Sequence, residues 1–205
     1  MDVREAGATD ISGLVARAKA GDRTAFDGLV EAYAPRIYNI ALRITGSRDE
    51  AQDCVQDAFV RAFSALRHFR GEAAFSTWLY RVAVNVANDA CRRLKSQPML
   101  ASELAGPGSD DPVPDLGGMS HGRHGADGPD EQLARAQRRD LVLTAIRSLP
   151  EHHRAVIVLC DLQGLSYQEV AEVMGTRVGT VKSRLSRARL ALKERLEPHL
   201  ELLRT

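Results

Sequence analysis

The sequence predicts an all-α protein made of two small helical domains joined by a flexible acidic linker. Three observations carry that prediction. Apolar residues recur at three- and four-residue steps from about Ile11 to Lys95 and again from Leu133 to the end of the chain, and nothing alternates as a half-buried strand would. Residues 96–132 break the pattern and hold seven of the sixteen glycines and five of the eight prolines. A structureless stretch of that length is unusual inside one compact domain, so the expected division is 1–95, 96–132 and 133–205.

Each element has its own justification. Phe26, Leu29, Val30 and Tyr33, then Ile37, Ile40, Ala41 and Ile44, mark one helix face; Pro35 inside that run predicts a kink or interruption. Gly46 closes the pattern, and Ser47-Arg48-Asp49-Glu50 has the form of a capping box that starts the next helix. That helix is expected to turn Ala51, Val55, Ala58, Phe59, Ala62, Phe63 and Leu66 inward and to stop near Gly71. The last helix of the block runs from about Ser76 to Lys95 through Trp78, Leu79, Val82, Val86 and Ala90. The linker holds too few apolar residues to offset its ordering entropy. Beyond it, Leu141, Ala145 and Ile146 form a stripe, Pro150 fits the first turn of the next helix, and Val156, Ile157 and Leu159 fill that helix's inner face.

The C-terminal stretch is the most informative. Ser166 and Glu169 have capping-box spacing, and Gly175 supplies the positive φ that a tight interhelical turn needs. Val181, Leu185, Ala188, Leu192 and Leu196 then step by four, three, four and four along one face. The opposite face collects Ser183, Ser186, Arg187 and Leu190, flanked by Lys182, Arg189 and Arg184. Two short helices, a glycine turn and a basic outer face describe a helix-turn-helix that enters a major groove. Arginine and lysine pair with guanine edges, serine reaches bases or phosphates, and flanking cations suit the backbone.

Charge distribution supports the same partner, although the total does not. Lys plus Arg is 28 against 27 for Asp plus Glu. Between Arg177 and Arg195 seven basic residues face one acid, Glu194, whereas residues 96–132 carry seven acids against Arg123 alone. Cys54, Cys91 and Cys160 are far apart and outside any CxxC pattern, so buried free thiols in a reducing cytosol are expected. No apolar run has the form of a signal peptide or a membrane span. Catalytic and metal chemistry find no support. There is no Ser/His/Asp arrangement, P-loop or paired-carboxylate cleft, His152 and His153 are expected to point in different directions, and His121 and His124 lie in a Gly-rich tract with no Cys nearby. No cofactor and no metal are expected.

These residues carry a family resemblance. Leu149-Pro150-Glu151, Gly164-Leu165-Ser166-Tyr167-Gln168-Glu169-Val170-Ala171 and Val178-Gly179-Thr180-Val181-Lys182-Ser183-Arg184-Leu185, with Arg187-Ala188-Arg189, closely resemble region 4 of extracytoplasmic-function sigma factors. Gly46-Ser47-Arg48-Asp49-Glu50-Ala51-Gln52-Asp53, Val55-Gln56-Asp57-Ala58-Phe59 and Phe75-Ser76-Thr77-Trp78-Leu79-Tyr80-Arg81-Val82-Ala83-Val84-Asn85 resemble region 2 of the same family.

The resemblance implies a bacterial initiation factor that binds core RNA polymerase through the β′ clamp coiled coil and the β flap, recognises two promoter elements and melts one. It gives Asp53, Gln56, Asp57 and Phe59 to the clamp contact; spacing alone reads that helix face as a solvated acidic one. It gives Trp78, Tyr80, Arg81, Asn85, Asn88, Asp89, Arg92 and Arg93 to the minus-ten element, with Asn85 on an extruded base and Arg92 and Arg93 on phosphates. The helical stripe reads Trp78 as core rather than as a stacking platform. Arg177, Thr180, Lys182, Ser183, Arg184, Ser186, Arg187 and Arg189 fall to the minus-thirty-five element. Many relatives have proline where this chain has Arg177, which exchanges a preset first turn for a possible phosphate contact. The linker is expected to thread the polymerase cleft, and an anti-sigma factor is an expected partner. The competing readings are a helix-turn-helix activator that does not replace the sigma subunit and a protein-interaction module.

Overall fold

Short polar residues ahead of apolar runs set the helix starts. In the computed structural model, which describes residues 3–96 and 129–199, α1 spans Val3–Lys19, α2 Arg23–Thr45, α3 Arg48–Leu66 and α4 Phe75–Ser96. Then come α5 Pro129–Arg147, α6 Glu151–Ile157, a π-helical turn Val158–Leu162, α7 Tyr167–Met174, α8 Val178–Leu196 and a 3₁₀ turn Glu197–His199. The described residues contain no strand, as the all-α expectation requires. No described helix is long and apolar enough to cross a membrane. The acidic linker, with His121 and His124, lies outside the described residues.

Side chains cap three of the helix starts. Asp22 accepts the Ala25 N–H at 3.1 Å to start α2, and that bond together with the Arg17 guanidinium holds its carboxyl below the usual range. Ser47 caps α3 through the Glu50 N–H at 3.4 Å. At α7 the box closes both ways: the Glu169 N–H donates to Ser166 Oγ at 3.2 Å, and the Ser166 N–H donates to Glu169 Oε2 at 2.8 Å. Gly46 ends α2 with φ 76°, and its N–H returns to the Leu42 carbonyl at 2.7 Å. A Cβ at Gly46 would also collide with the Arg147 side chain, so two constraints call for glycine there.

Four expectations need correction. α2 runs on through Pro35, so the helix is not interrupted there; Pro35 and Glu31, whose carbonyl loses its donor, both lie on the solvent side. On α3, Val55 is only half-buried and Phe63 is exposed, whereas Cys54 is buried; the inward stripe is Ala51, Cys54, Ala58, Phe59, Ala62 and Leu66. Phe63 stays at the rim with its ring 4.9 Å from Phe26. α5 begins at Pro129, four residues inside the expected linker, and Pro150 precedes α6 as its cap rather than entering its first turn.

α2, α3 and α4 form the N-terminal block around fully buried Leu29, Ile37, Ile40, Ile44, Leu79 and Val86. α6, α7 and α8 form the C-terminal block around Val156, Ile157, Leu159, Val170, Val181 and Leu185. The two blocks touch, and their buried residues join one cluster, with α4 against α7 and α2 against α5. Arg154 lies between them at 4% exposure; its Nη1 donates to the Ile44 carbonyl at 2.8 Å and to Cys91 Sγ at 3.3 Å, and its Nη2 donates to the Leu149 carbonyl at 3.1 Å.

Ser166→Ala removes the bonds made by the hydroxyl at α7, the Glu169 N–H to Ser166 Oγ and Oγ to Glu169, and leaves the backbone N–H bond to Glu169 in place. It is expected to cost about 1 kcal/mol, read as a lower midpoint in urea unfolding with an unchanged slope. An unchanged midpoint would show that the hydroxyl does not help to hold α7 in place.

Candidate nucleic-acid and partner faces

The turn between α7 and α8 is fixed by backbone. Gly175 is left-handed at φ 60°, and the Thr176 N–H reaches the Ala171 carbonyl at 2.9 Å. Arg177 then opens α8 in extended conformation without capping it through its side chain. Val181, Leu185 and Ala188 bury one side of α8, and Leu192 and Leu196 continue that side half-buried. Lys182, Ser183, Ser186 and Arg187 are exposed on the other, with Arg177 also exposed and Thr180 and Arg184 half-buried. Ser183 Oγ donates to the Thr180 carbonyl at 3.0 Å, which turns its lone pairs outward. Lys182 Nζ sits 5.8 Å from the Tyr167 ring centre. Arg189 is committed elsewhere: Asp161 takes its Nε at 3.0 Å and its Nη2 at 2.6 Å, and raises its pKa further.

His152 and His153 do not diverge as expected, since their rings meet at 4.4 Å. Burial first, then His152 and the charges of Arg187, Arg184 and Arg195, lower the His153 pKa, so the imidazole is neutral at pH 7. No group of three or more potential metal ligands occurs among the described residues. The thiols of Cys54 and Cys160 are pushed up to about 11, mainly by burial, which keeps them protonated and poorly nucleophilic.

α4 presents a second polar face, toward the C-terminal block. Asn85 is exposed, whereas Asn88 is 8% exposed and its Oδ1 has no hydrogen-bond partner. Both line a cleft of about 470 Å³ with Arg81, His152, Val173 and Gly175. Arg81 Nε donates to the Val173 carbonyl at 3.3 Å, and its Nη2 donates to the Glu172 carbonyl. Asp89 accepts from Arg92 at 2.9 Å and Arg61 at 3.4 Å, and Arg92 also approaches Glu151 at 3.6 Å. Arg93 is exposed on the same helix. Trp78 packs against Phe69 and Phe75 at 5.2 and 5.6 Å, in keeping with the core stripe. Tyr80 is 4% exposed, with Arg36 lying 5.7 Å over its ring.

On α3, Asp53, Gln56 and Asp57 are exposed along one face, but Phe59 is buried with its ring 6.2 Å from Phe26. The apolar residues that α3 offers outward are Val60 and Phe63, at 65% and 43% exposure. Sequence reasoning missed both. The signal was available: Gln56, Val60 and Phe63 stand at i, i+4 and i+7, beside Asp53 and Asp57.

Residues 29–97 match the family described as sigma-70 region 2, and residues 139–192 match sigma-70 region 4. The RNA polymerase sigma-H factor of Pseudomonas aeruginosa is 38% identical over 189 residues, covering 91% of this chain and 94% of that protein. The ECF RNA polymerase sigma-E factor of Escherichia coli is 38% identical over 189 residues, covering 90% and 93%. Among solved structures, CnrH in complex with the cytosolic domain of CnrY aligns with a TM-score of 0.63 at 27% identity, covering 90% of this chain and 96% of that one. With both sigma-70 segments in order and such relatives along nearly its whole length, the chain belongs to the extracytoplasmic-function sigma factors of RNA polymerase.

Proposed function

We propose that this sigma factor acts in the cytoplasm, directs core RNA polymerase to promoters through a minus-thirty-five and a minus-ten element, and helps part the strands at the second. The supporting observation is the pairing, in one chain, of a helix-turn-helix whose Lys182, Ser183, Ser186 and Arg187 face solvent with an α4 that offers Asn85. In this reading Lys182, Ser183, Ser186 and Arg187 meet base edges, while Arg177, Thr180 and Arg184 serve backbone phosphates. Arg189 reaches phosphate only by leaving Asp161. Asn85 reads an unstacked base, Arg81 and Asn88 assist beside it, and Arg92 and Arg93 follow the backbone. Asp89 fixes Arg92, and Trp78 and Tyr80 support α4 from its packed side.

Asp53, Gln56 and Asp57 form the contact for the β′ clamp, with Val60 and Phe63 as its apolar part and Phe59 as backing from the core. The C-terminal block also takes the β flap. Nucleotide addition belongs to the polymerase, and the chain supplies no catalytic centre. CnrH is solved with a cytosolic domain of another protein, and by that likeness a protein inhibitor, an anti-sigma factor, is the expected regulator.

Run-off transcription with purified core enzyme tests the reading. Transcripts that start at a verified promoter only when the protein is added support it; promoter binding without initiation would favour a plain activator. Arg187→Ala is expected to lose about 1–3 kcal/mol at one preferred base pair and to relax specificity there, measured by competition with single-substitution promoters. A uniform loss across all promoters would make Arg187 a phosphate contact. Asn85→Ala should impair opening, read by permanganate reactivity of unpaired thymines, with duplex binding by the C-terminal block intact. Equal loss of both would remove the assignment of Asn85.

A further inference from the structure

Tyr167 is a large aromatic residue left open to solvent, at 39% exposure, at the start of α7. The core takes Val170, Ala171 and Val173 from that helix and does not use the ring. The ring instead meets a cation from the other helix of the motif, with Lys182 Nζ 5.8 Å from its centre, inside the range of cation–π attraction. The Gly175 turn, and buried Val181 next to Lys182, fix how the two helices approach. The contact is therefore set by the backbone of the helix-turn-helix.

We propose that Tyr167 is a positioning residue for Lys182, its ring holding the ammonium on one flank of α8 and so setting which base edge Lys182 reaches. The inference rests on the promoter reading of α8 given above. A lysine is a point charge on a flexible stem, with three rotatable donors, so unaided it chooses poorly between a base edge and a phosphate. Confining the stem before DNA arrives reduces the freedom lost on binding. An aromatic ring suits that task. A carboxylate would cancel the charge and compete with the base acceptors, whereas a ring face attracts the ammonium without neutralising it.

The rest of the flank follows the same pattern. Arg189 stands seven residues after Lys182, about 10 Å along α8, and Asp161 holds it through two bonds at 3.0 and 2.6 Å. Tyr167 acts electrostatically on Arg189 as well. Both cations of the flank are thus fixed from outside α8, Lys182 by α7 and Arg189 by the π-helical turn. Their separation along the axis equals about three base-pair steps, so holding both sets the register of α8 in a groove.

A phosphate bond from the Tyr167 hydroxyl would be a different role, and the surroundings oppose it. The Glu169 carboxylate sits on the Ser166 N–H at 2.8 Å and on Ser166 Oγ at 2.7 Å, which places a full negative charge at the start of α7. That charge repels a phosphate from the end of the helix that carries Tyr167.

The contact is tested first without DNA. In the free full-length chain the ε-methylene protons of Lys182 should resonate upfield of those of exposed Lys193. Tyr167→Leu should abolish that shift and Tyr167→Phe should keep it; an unshifted Lys182 would overturn the contact. Competition between promoters with single substitutions in the minus-thirty-five element, using holoenzyme reconstituted with core polymerase, then reads discrimination at each base pair. Tyr167→Leu is expected to lower it about three- to fivefold at one base pair, the one at which Lys182→Met acts. The double variant should match Lys182→Met alone, and Tyr167→Phe should retain the discrimination. A uniform loss across promoters, an equal loss in Tyr167→Phe, or additive losses in the double variant would each overturn the positioning role. If Tyr167→Leu loses helicity by circular dichroism, Tyr167→Met is read in the same way. The proton shifts involve no DNA, so they judge the contact apart from the promoter reading, which run-off transcription judges alone.

Discussion

A helix that ends inside a protein must find donors for its last carbonyls, and the arrangement of this chain follows from how that demand is met. α2 ends on left-handed Gly46, which satisfies Leu42 through its own N–H and leaves Ile44 and Gly46 carbonyls facing the other block. Arg154 and Arg147 answer from α6 and α5. α7 ends the same way on Gly175, and Arg81 answers from α4. A hydrogen bond from a charged donor contributes about 1.5–3 kcal/mol when well made, but desolvation of the cation offsets much of that. Carbonyl acceptors therefore hold the blocks in a defined register without making separation prohibitive.

The π-helical turn ties this boundary to α8. With one extra residue in the turn, Val158 and Leu159 stay in the core while the following residues shift phase. Asp161 then faces α8 and takes Arg189, and the Leu162 and Gln163 carbonyls face α2 and take Arg43 and Arg36. A regular α-helix through Leu162 would change the directions of both groups. The same five residues thus fix one flank of the helix-turn-helix and one edge of the block contact.

Local signals were legible in the sequence, and non-local ones were not. Ser166, Glu169 and Gly175 announced α7 because capping acts within one turn of chain. The inner and outer faces of α8 followed from periodicity, since apolar residues fill the one and cations the other. Periodicity failed where burial is not apolar. Arg154 looks like a solvated cation in sequence, and only the packing of α6 against α2 and α4 makes it a core residue. The π turn carries no glycine or proline to mark it. Phe63 read as core because it is large and apolar, yet the close approach of α3 uses small residues, Ala51, Ala58 and Ala62, and leaves the ring at the rim.

The same reasoning explains why the functional faces sit where they do. A surface that must meet a polyanion needs cations held near it yet separable from their resting partners. Backbone carbonyls are suited to that resting role because they carry only partial charge, so a phosphate oxygen with a full charge competes well for the same guanidinium. A carboxylate partner holds more firmly, as Arg189 on Asp161 does with two bonds and Arg92 on Asp89 with one. Arg81 on carbonyls and Arg189 on a carboxylate are thus two grades of restraint on arginines of the two helices proposed to meet DNA. α4 carries both grades, Arg81 on carbonyls and Arg92 on Asp89, whereas α8 carries the stronger at Arg189 and leaves Lys182, Ser183, Ser186 and Arg187 exposed.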